Sequence, residues 1–162
     1  MFADLGRTQL APDADVITRA VAVPSLAALA VIHVVDLPGT LGPDRLVGIG
    51  YLGIIAAAIL ISGVLIAWPH RLVWAAAAAV AVSAMGGYLL TRALPGGFLG
   101  DHGDVGNWRC PLGIAALSTE TVIILLVVLA GLGAWQARVH AATVATESRP
   151  AARRAPEHTR LG

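Results

Sequence analysis

The chain has 162 residues, of which 57% are hydrophobic and 13% are charged, and its formal net charge is +1. Because a soluble domain carries about 25% charged residues, this composition excludes an ordinary soluble protein. The near-neutral charge argues against nucleic-acid binding, which needs a concentrated basic face, and the single cysteine excludes an intrachain disulfide.

The N-terminal segment, residues 1–15, is polar and acidic and precedes any apolar run. It lacks the basic stretch, short apolar segment and cleavage site of a secretory signal, so we expect the first apolar run to stay in the membrane. That run predicts a first span at about 17–36, ending before the turn-forming sequence LPGTLGPD. Pro24, inside this run, is expected either to kink the helix or to mark its effective start.

Three further spans follow within a transmembrane domain predicted at 16–137. The second, at about 46–68, contains no charged residue, and each apolar run is close to the roughly 20 residues that cross a bilayer. The third and fourth spans are predicted at about 72–90 and 112–135. Residues 138–162 are polar, contain Pro and Arg without periodicity, and predict a disordered cytoplasmic tail.

Small residues recur at four-residue spacing along the third span. On a helix this spacing places them on one face, where small side chains let two membrane helices approach closely. An alanine-rich sequence also produces such stripes by chance. We predict that this face packs inside the bundle through Ala75, Ala79, Ser83 and Gly87.

The arginine distribution predicts the orientation of the spans. Four spans place both termini on one side, which carries eight arginines against three on the other. Because positive charge favours the cytoplasmic side, both termini are predicted to be cytoplasmic. The aromatic residues agree with this arrangement, with Trp68, Trp74 and Trp135 at the inner boundary and Tyr51, Tyr88 and Trp108 near the outer one.

Ionisable residues gather at the predicted outer side, and one of them lies deeper. Glu120 is eight residues beyond Leu112, about 12 Å down the fourth helix. A carboxylate at that depth costs free energy unless it is paired, hydrated or protonated. We name His33 or Arg92 as its partner, and the neighbouring hydroxyls as hydrogen-bond donors. The candidate polar site comprises Glu120, His33, Asp36, Arg92, Asp101, His102, Asp104 and Arg109.

Three interpretations of Glu120 stay open: a structural clamp that orients helices, a proton- or ligand-linked group, and a lipid-facing side chain that reaches the interface. A cavity shared by Glu120, His33 and Arg92 would favour the second interpretation, whereas close packing would favour the first. We also predict that the outer loop, Pro95–Arg109, folds back over the bundle. Asp101 or Asp104 should then lie near Arg45, Arg92 or Arg109.

Metal and cofactor sites find little support. The outer run DHGD, residues 101–104, offers one imidazole and two carboxylates, but it matches no established ligand spacing, and Asp and Gly are ordinary turn residues. His33 and His70 are predicted to lie nearly a bilayer thickness apart, too far to ligate one haem iron. We therefore expect no metal and no cofactor, and an inert Cys110.

The segments HVVDLPG, GYLLTRALPG and DVGNWRCPLGIAAL resemble a group of small four-span integral membrane proteins from high-GC actinobacteria. The likeness covers about residues 30–120. Members often show an arginine before a short Leu-Pro-Gly turn, then a Gly-(Asp/Asn)-Trp run and a Pro-Leu-Gly helix start. Acidic residues commonly occur in the group where this chain has Arg109 and Cys110. The resemblance implies a fold and a membrane location, and it implies no reaction.

The sequence thus predicts an all-α transmembrane four-helix bundle with both termini cytoplasmic, in the plasma membrane. The expected role is non-enzymatic, that of an accessory or interaction protein. The alternative is a small transporter or redox-linked membrane protein that uses Glu120 and the outer His/Asp/Arg group. Expected partners are the lipid bilayer and either other membrane proteins or further copies of the chain, without nucleic acid.

Overall fold

The computed structural model describes residues 12–42 and 45–152. Four helices make up most of them, namely α1 (Pro12–Leu41), α2 (Arg45–Ala67), α3 (Arg71–Ala93) and α4 (Pro111–Ala152). We call the end where α1 and α3 finish the loop end, and the opposite one the terminal end. At the terminal end only residues 68–70 join α2 to α3. The predicted all-α helical bundle is confirmed.

Within the described residues, all four helices are long and apolar enough to cross a membrane. Their outward faces carry large aliphatic side chains that are more than half exposed, such as Leu60, Ile66 and Leu129. A soluble protein rarely exposes so extensive an apolar surface, whereas lipid solvates it. The architecture is that of a multi-pass membrane protein.

The helices form a closed ring in which α1 and α3 each pack against both α2 and α4. All four helices contribute to the buried core, in which Leu26 and Leu29 of α1 and Ile123 of α4 are fully enclosed. Towards the terminal end, α2 and α3 contribute Leu65 and Trp74 to the same cluster. Among the neighbouring helix pairs of this ring, α1 and α2 pack most extensively, and α2 and α3 least.

The tryptophans only partly follow the predicted interfacial positions. Trp68 and Trp135 are exposed at the terminal end, and Trp108 is about half exposed at the loop end. Trp74 is only 3% exposed and belongs to the core, so its assignment to an interfacial belt is wrong. The bundle encloses its indole ring, which therefore does not face the membrane interface.

Two helices extend beyond their predicted bounds. The structure continues α1 through residues 37–41, where a turn is predicted, and it includes both Pro24 and Pro38 within the helix. Pro24 therefore does not start the helix, in keeping with the tolerance of membrane helices for proline. At the other terminus α4 reaches Ala152, so residues 138–152 are helical where disorder is predicted. Residues 153–162 of that tail lie outside the described part.

The buried face of α3 is not the predicted stripe. Ala75, Ala79 and Ser83 are exposed and Gly87 is half-buried. The helix packs instead through Trp74, Ala77, Ala81, Ala84, Thr91 and Arg92. Trp74 and Arg92 are 18 residues apart, about five helical turns, and so share one face. Burying these two large side chains fixes the rotation of α3 and turns the stripe outward within the single chain.

Close helix approach occurs at other glycines. A Cβ on Gly113 of α4 would collide with the Tyr88 ring of α3. A Cβ on Gly48 of α2 would lie 2.7 Å from the Leu41 Cα at the end of α1. At Gly87, by contrast, an added Cβ meets nothing within 4 Å. A larger side chain at Gly87 therefore finds open space and does not force the helices apart.

Candidate functional site

A cavity of about 250 Å³ lies at the loop end. All four helices contribute to its walls, and so does the connecting loop between α3 and α4, residues 94–110. Most of the wall is aliphatic or aromatic, including Ile54, Phe98 and Leu112. Such a wall with a few convergent polar groups is typical of small-molecule sites. The polar side chains that line it are His33, Asp36, Tyr51, Ser83, Tyr88, Thr91, Arg92 and Glu120.

Glu120 lies on the α4 side of this cavity and is 1% exposed. Its Oε2 atom has no hydrogen-bond partner, and no ion pair to it occurs among the described residues. It is nine residues into α4, about 14 Å from the helix start. The predicted partners His33 and Arg92 line the same cavity without pairing with it, so that part of the prediction is wrong.

The hydroxyls adjacent to Glu120 in sequence do not satisfy the carboxylate. Ser118, Thr119 and Thr121 each donate a hydrogen bond to the backbone carbonyl four residues earlier, at 2.7–2.9 Å. This back-bonding is the usual choice of Ser and Thr inside a helix, because the carbonyl is always within reach. The expected hydroxyl donors are thus already engaged with their own helix.

A second polar group joins α1 to α2 on the opposite side of the cavity. The Tyr51 hydroxyl donates to Oδ2 of Asp36 at 3.1 Å. His33 and Tyr51 make an edge-to-face contact with ring centroids 4.7 Å apart. His33 Nδ1 lies 2.9 Å from the Leu29 carbonyl oxygen. Because a carbonyl only accepts, Nδ1 carries a proton, and in a neutral ring Nε2 is then an acceptor.

Arg92 is the centre of a third polar group at the end of α3, and each of its side-chain nitrogens is engaged. Nε donates to the Asn107 carbonyl at 3.1 Å, and one terminal nitrogen donates to Thr91 Oγ1 at 2.7 Å. The other terminal nitrogen pairs with Asp104 Oδ2 at 3.0 Å. The guanidinium also stacks over the Tyr88 ring, 3.8 Å from its centroid. Arg92 therefore ties the loop to α3.

The connecting loop, residues 94–110, folds over the bundle as predicted. Besides the ion pair with Asp104, the Gly106 N–H donates to the Arg92 carbonyl at 3.0 Å. Asp101 Oδ1 accepts from the Asp104 N–H at 3.0 Å, and the Tyr88 hydroxyl donates to the Trp108 carbonyl at 3.3 Å. Phe98 and Leu99 line the cavity from this side. The loop is a structured cover.

The structure brings together part of the predicted polar site. His33, Asp36, Arg92 and Glu120 share the cavity. Asp101 and Asp104 belong to the loop that covers it, whereas His102 and Arg109 are exposed and do not line it. Sequence reasoning placed Tyr51 and Tyr88 at a lipid interface and so missed that both line the site. For Tyr51 the sequence does offer a weak signal, because this residue lies shortly after the turn that is predicted to follow Asp36.

Metal binding finds no geometric support in residues 12–42 and 45–152. No group of three or more His, Cys, Asp or Glu side chains in this part of the chain is placed to hold a metal ion. Cys110 is a free, half-buried thiol at the start of α4. The chemistry that the described cavity offers is hydrogen bonding, charge pairing and apolar contact.

Comparisons with known protein families, with characterised proteins and with solved structures find no match to this chain. The resemblance to small actinobacterial four-span proteins therefore stays a prediction.

Proposed function

We propose that this protein binds a small molecule within the membrane, as a small transporter or carrier does, with the loop-end cavity as its site. The observation that carries the proposal is the Glu120 carboxylate, which lines the cavity and has an unpartnered Oε2 atom. A buried charge that serves only to hold helices together is found with its partner, because an unpaired one destabilises the fold. Glu120 is better explained as a group whose partner comes from outside the chain.

The predicted accessory or interaction role does not account for the same observation. A protein that acts only through its surface gains nothing from an unpaired carboxylate inside a cavity, and stability alone would select an apolar residue there. His33, Asp36 and Tyr51 on the facing helices add hydrogen-bonding groups that orient a bound molecule. These groups favour a binding function over a purely structural one.

We further propose that the membrane is the plasma membrane, with both termini in the cytoplasm and the cavity near the outer surface. The support is the distribution of arginines, eight on the terminal side and three on the loop side. A reporter fused to the C-terminus should be located in the cytoplasm. A reporter inserted in the loop between Gly96 and Gly106 should be located outside the cell. A C-terminal fusion that is active outside the cell would contradict this orientation.

Filling the cavity should abolish binding without unfolding the protein. Gly87 lines the cavity and Gly86 does not, yet an added Cβ meets nothing within 4 Å at either position. We therefore expect Gly87→Leu to remove saturable binding of para-fluorobenzyl alcohol and Gly86→Leu to retain it. Fluorine NMR of the probe with protein in phosphatidylcholine nanodiscs measures this, after subtraction of empty nanodiscs. Equal binding by both variants would overturn the proposal, and so would the absence of saturable binding of both this alcohol and its amine counterpart, para-fluorobenzylamine, to the unaltered protein.

A further inference from the structure

We infer that the ligand is a cationic amine with a small apolar body, held by the Glu120 carboxylate and reached from the bilayer between α2 and α3. The inference rests on the proposed binding function and names the class of molecule that the cavity takes. Three features carry it: the balance of free acceptors and donors, the size and aromatic content of the wall, and the side on which the cavity opens.

The cavity contains a free hydrogen-bond acceptor on Glu120, whereas its cationic side chain, Arg92, already has partners. Oε2 of Glu120 has no partner, whereas the Arg92 guanidinium is bound by Asn107, Thr91 and Asp104. An anionic ligand would have to displace Arg92 from the loop and would also approach the Glu120 carboxylate. A ligand that brings positively charged N–H donors meets an acceptor with which nothing else competes.

Pairing with an amine leaves no net charge in the apolar wall. A free amine and a carboxylic acid carry the same total charge as an ammonium ion and a carboxylate. The proton between an amine and Glu120 can therefore lie on either group, and the pair is neutral in both cases. A neutral pair avoids the cost of an isolated charge in a medium of low dielectric constant. A neutral alcohol can hydrogen-bond to the same oxygen but cannot form the ion pair.

The dimensions and aromatic content of the wall suit a small amine. A volume of about 250 Å³ equals that of roughly eight water molecules in the liquid. It is slightly below the usual range of about 300–1,000 Å³ for ligand pockets, so the ligand is no larger than a single ring with a short arm. Tyr51, Tyr88 and Phe98 line the space, and aromatic rings favour bound cations.

The cavity opens on the side of α2 and α3. Its lining residues on α1 and α4 are all buried or half-buried, whereas Leu46 and Gly50 on α2 and Ser83 on α3 are exposed. In the loop, the lining residue Leu99 is exposed as well. Gly50 and Gly87 each leave open space where a Cβ would lie, so small residues border this opening. A molecule dissolved in the bilayer therefore has a path to Glu120 that crosses no helix.

The test compares two probes of the same shape, para-fluorobenzylamine and para-fluorobenzyl alcohol, with protein in phosphatidylcholine nanodiscs. Fluorine NMR gives a Kd for each probe, with empty nanodiscs subtracted. We expect the unaltered protein to bind the amine about tenfold or more tightly than the alcohol, the difference that one charge-assisted hydrogen bond supplies. Glu120→Gln should bring the ratio of the two dissociation constants close to one while alcohol binding remains.

Asp15→Asn is the matched control, because Asp15 is a carboxylate that pairs with Arg19 at the terminal end and does not line the cavity. This variant should keep most of the preference for the amine. A preference lost in Asp15→Asn but kept in Glu120→Gln would overturn the assignment of Glu120. Should Glu120→Gln fail to fold, Glu120→Asp keeps the charge and must keep a preference for the amine.

The outcomes separate this inference from the function on which it rests. If both probes bind equally and Gly87→Leu removes both, the cavity binds small molecules and the amine class is wrong. If neither probe shows saturable binding, the proposed function fails together with this inference. Slower amine association and dissociation in Gly50→Leu than in Gly53→Leu, whose site is equally open but does not line the cavity, would support access between α2 and α3, and equal rates in the two variants would overturn that route.

Discussion

Replacing Arg92 with methionine should lower the free energy of unfolding by about 2–4 kcal/mol, the sum of charge-assisted hydrogen bonds and a cation–π contact. The guanidinium is the point at which the loop 94–110 is fastened, through Asp104 and the Asn107 carbonyl, and it also stacks over the Tyr88 ring of its own helix. Asp104 remains about one third exposed, so after the substitution its carboxylate turns to water. The loss is therefore below the 3–5 kcal/mol of a fully buried broken pair.

Denaturant unfolding in mild detergent, followed by tryptophan fluorescence, measures the change, and proteolysis of the loop gives a second readout. Arg71→Met is the matched control, because Arg71 is an exposed arginine at the opposite end of the same helix. It should change stability by no more than about 0.5 kcal/mol. Arg92→Lys should be intermediate, since an ammonium cannot reproduce the planar fork. Equal stability of Arg92→Met and Arg71→Met would show that the loop is held by other contacts.

Replacing Glu120 with leucine should have the opposite effect on stability and raise the free energy of unfolding by about 1–3 kcal/mol. The physical reason is that the Oε2 atom is buried without a partner, so the native state bears a desolvation cost that no bond recovers. Leucine has a similar volume and suits an aliphatic wall that includes Ile54 and Leu112. Amine binding should be lost at the same time, as expected where a functional site costs stability.

The same unfolding measurement shows whether Glu120→Leu raises or lowers the free energy of unfolding. Thr121→Val is the matched control, because Thr121 is the exposed next residue and bonds only to its own helix, and it should leave stability nearly unchanged. A clear loss of stability in Glu120→Leu would mean that the carboxylate holds the helices together. The clamp interpretation would then be the better one.

The bundle could be predicted from the sequence, because lipid demands long apolar helices and the chain shows four such runs. The ends of the helices could not be predicted from the sequence. Residues 37–41 carry the Pro and Gly that signal a turn in water, yet they continue α1. The rotation of α3 was also beyond reach, since alanine occurs on every side of that helix. Only the three-dimensional placement of Trp74 and Arg92 selects its buried face.

The candidate site was predictable as a location but not as a set of contacts. Depth along α4 singled out Glu120, and the ends of α1 and α3 singled out His33 and Arg92. Whether two such groups pair depends on the path of the loop between them, which turns through positive φ at Leu99 and three glycines. That path delivers Asp104 to Arg92 and leaves Glu120 alone. No spacing in the sequence encodes this choice.

The three-residue connection at residues 68–70 sets a limit on how the gap between α2 and α3 can widen. The two helices are fixed to each other at the terminal end, where the His70 ring caps α3 by accepting the Leu72 N–H. Any separation is therefore a wedge that grows towards the loop end. Such a wedge faces only one leaflet. If the proposed amine site is correct, the ligand exchanges with the leaflet at the loop end, and a molecule dissolved in the other leaflet must first cross the membrane on its own.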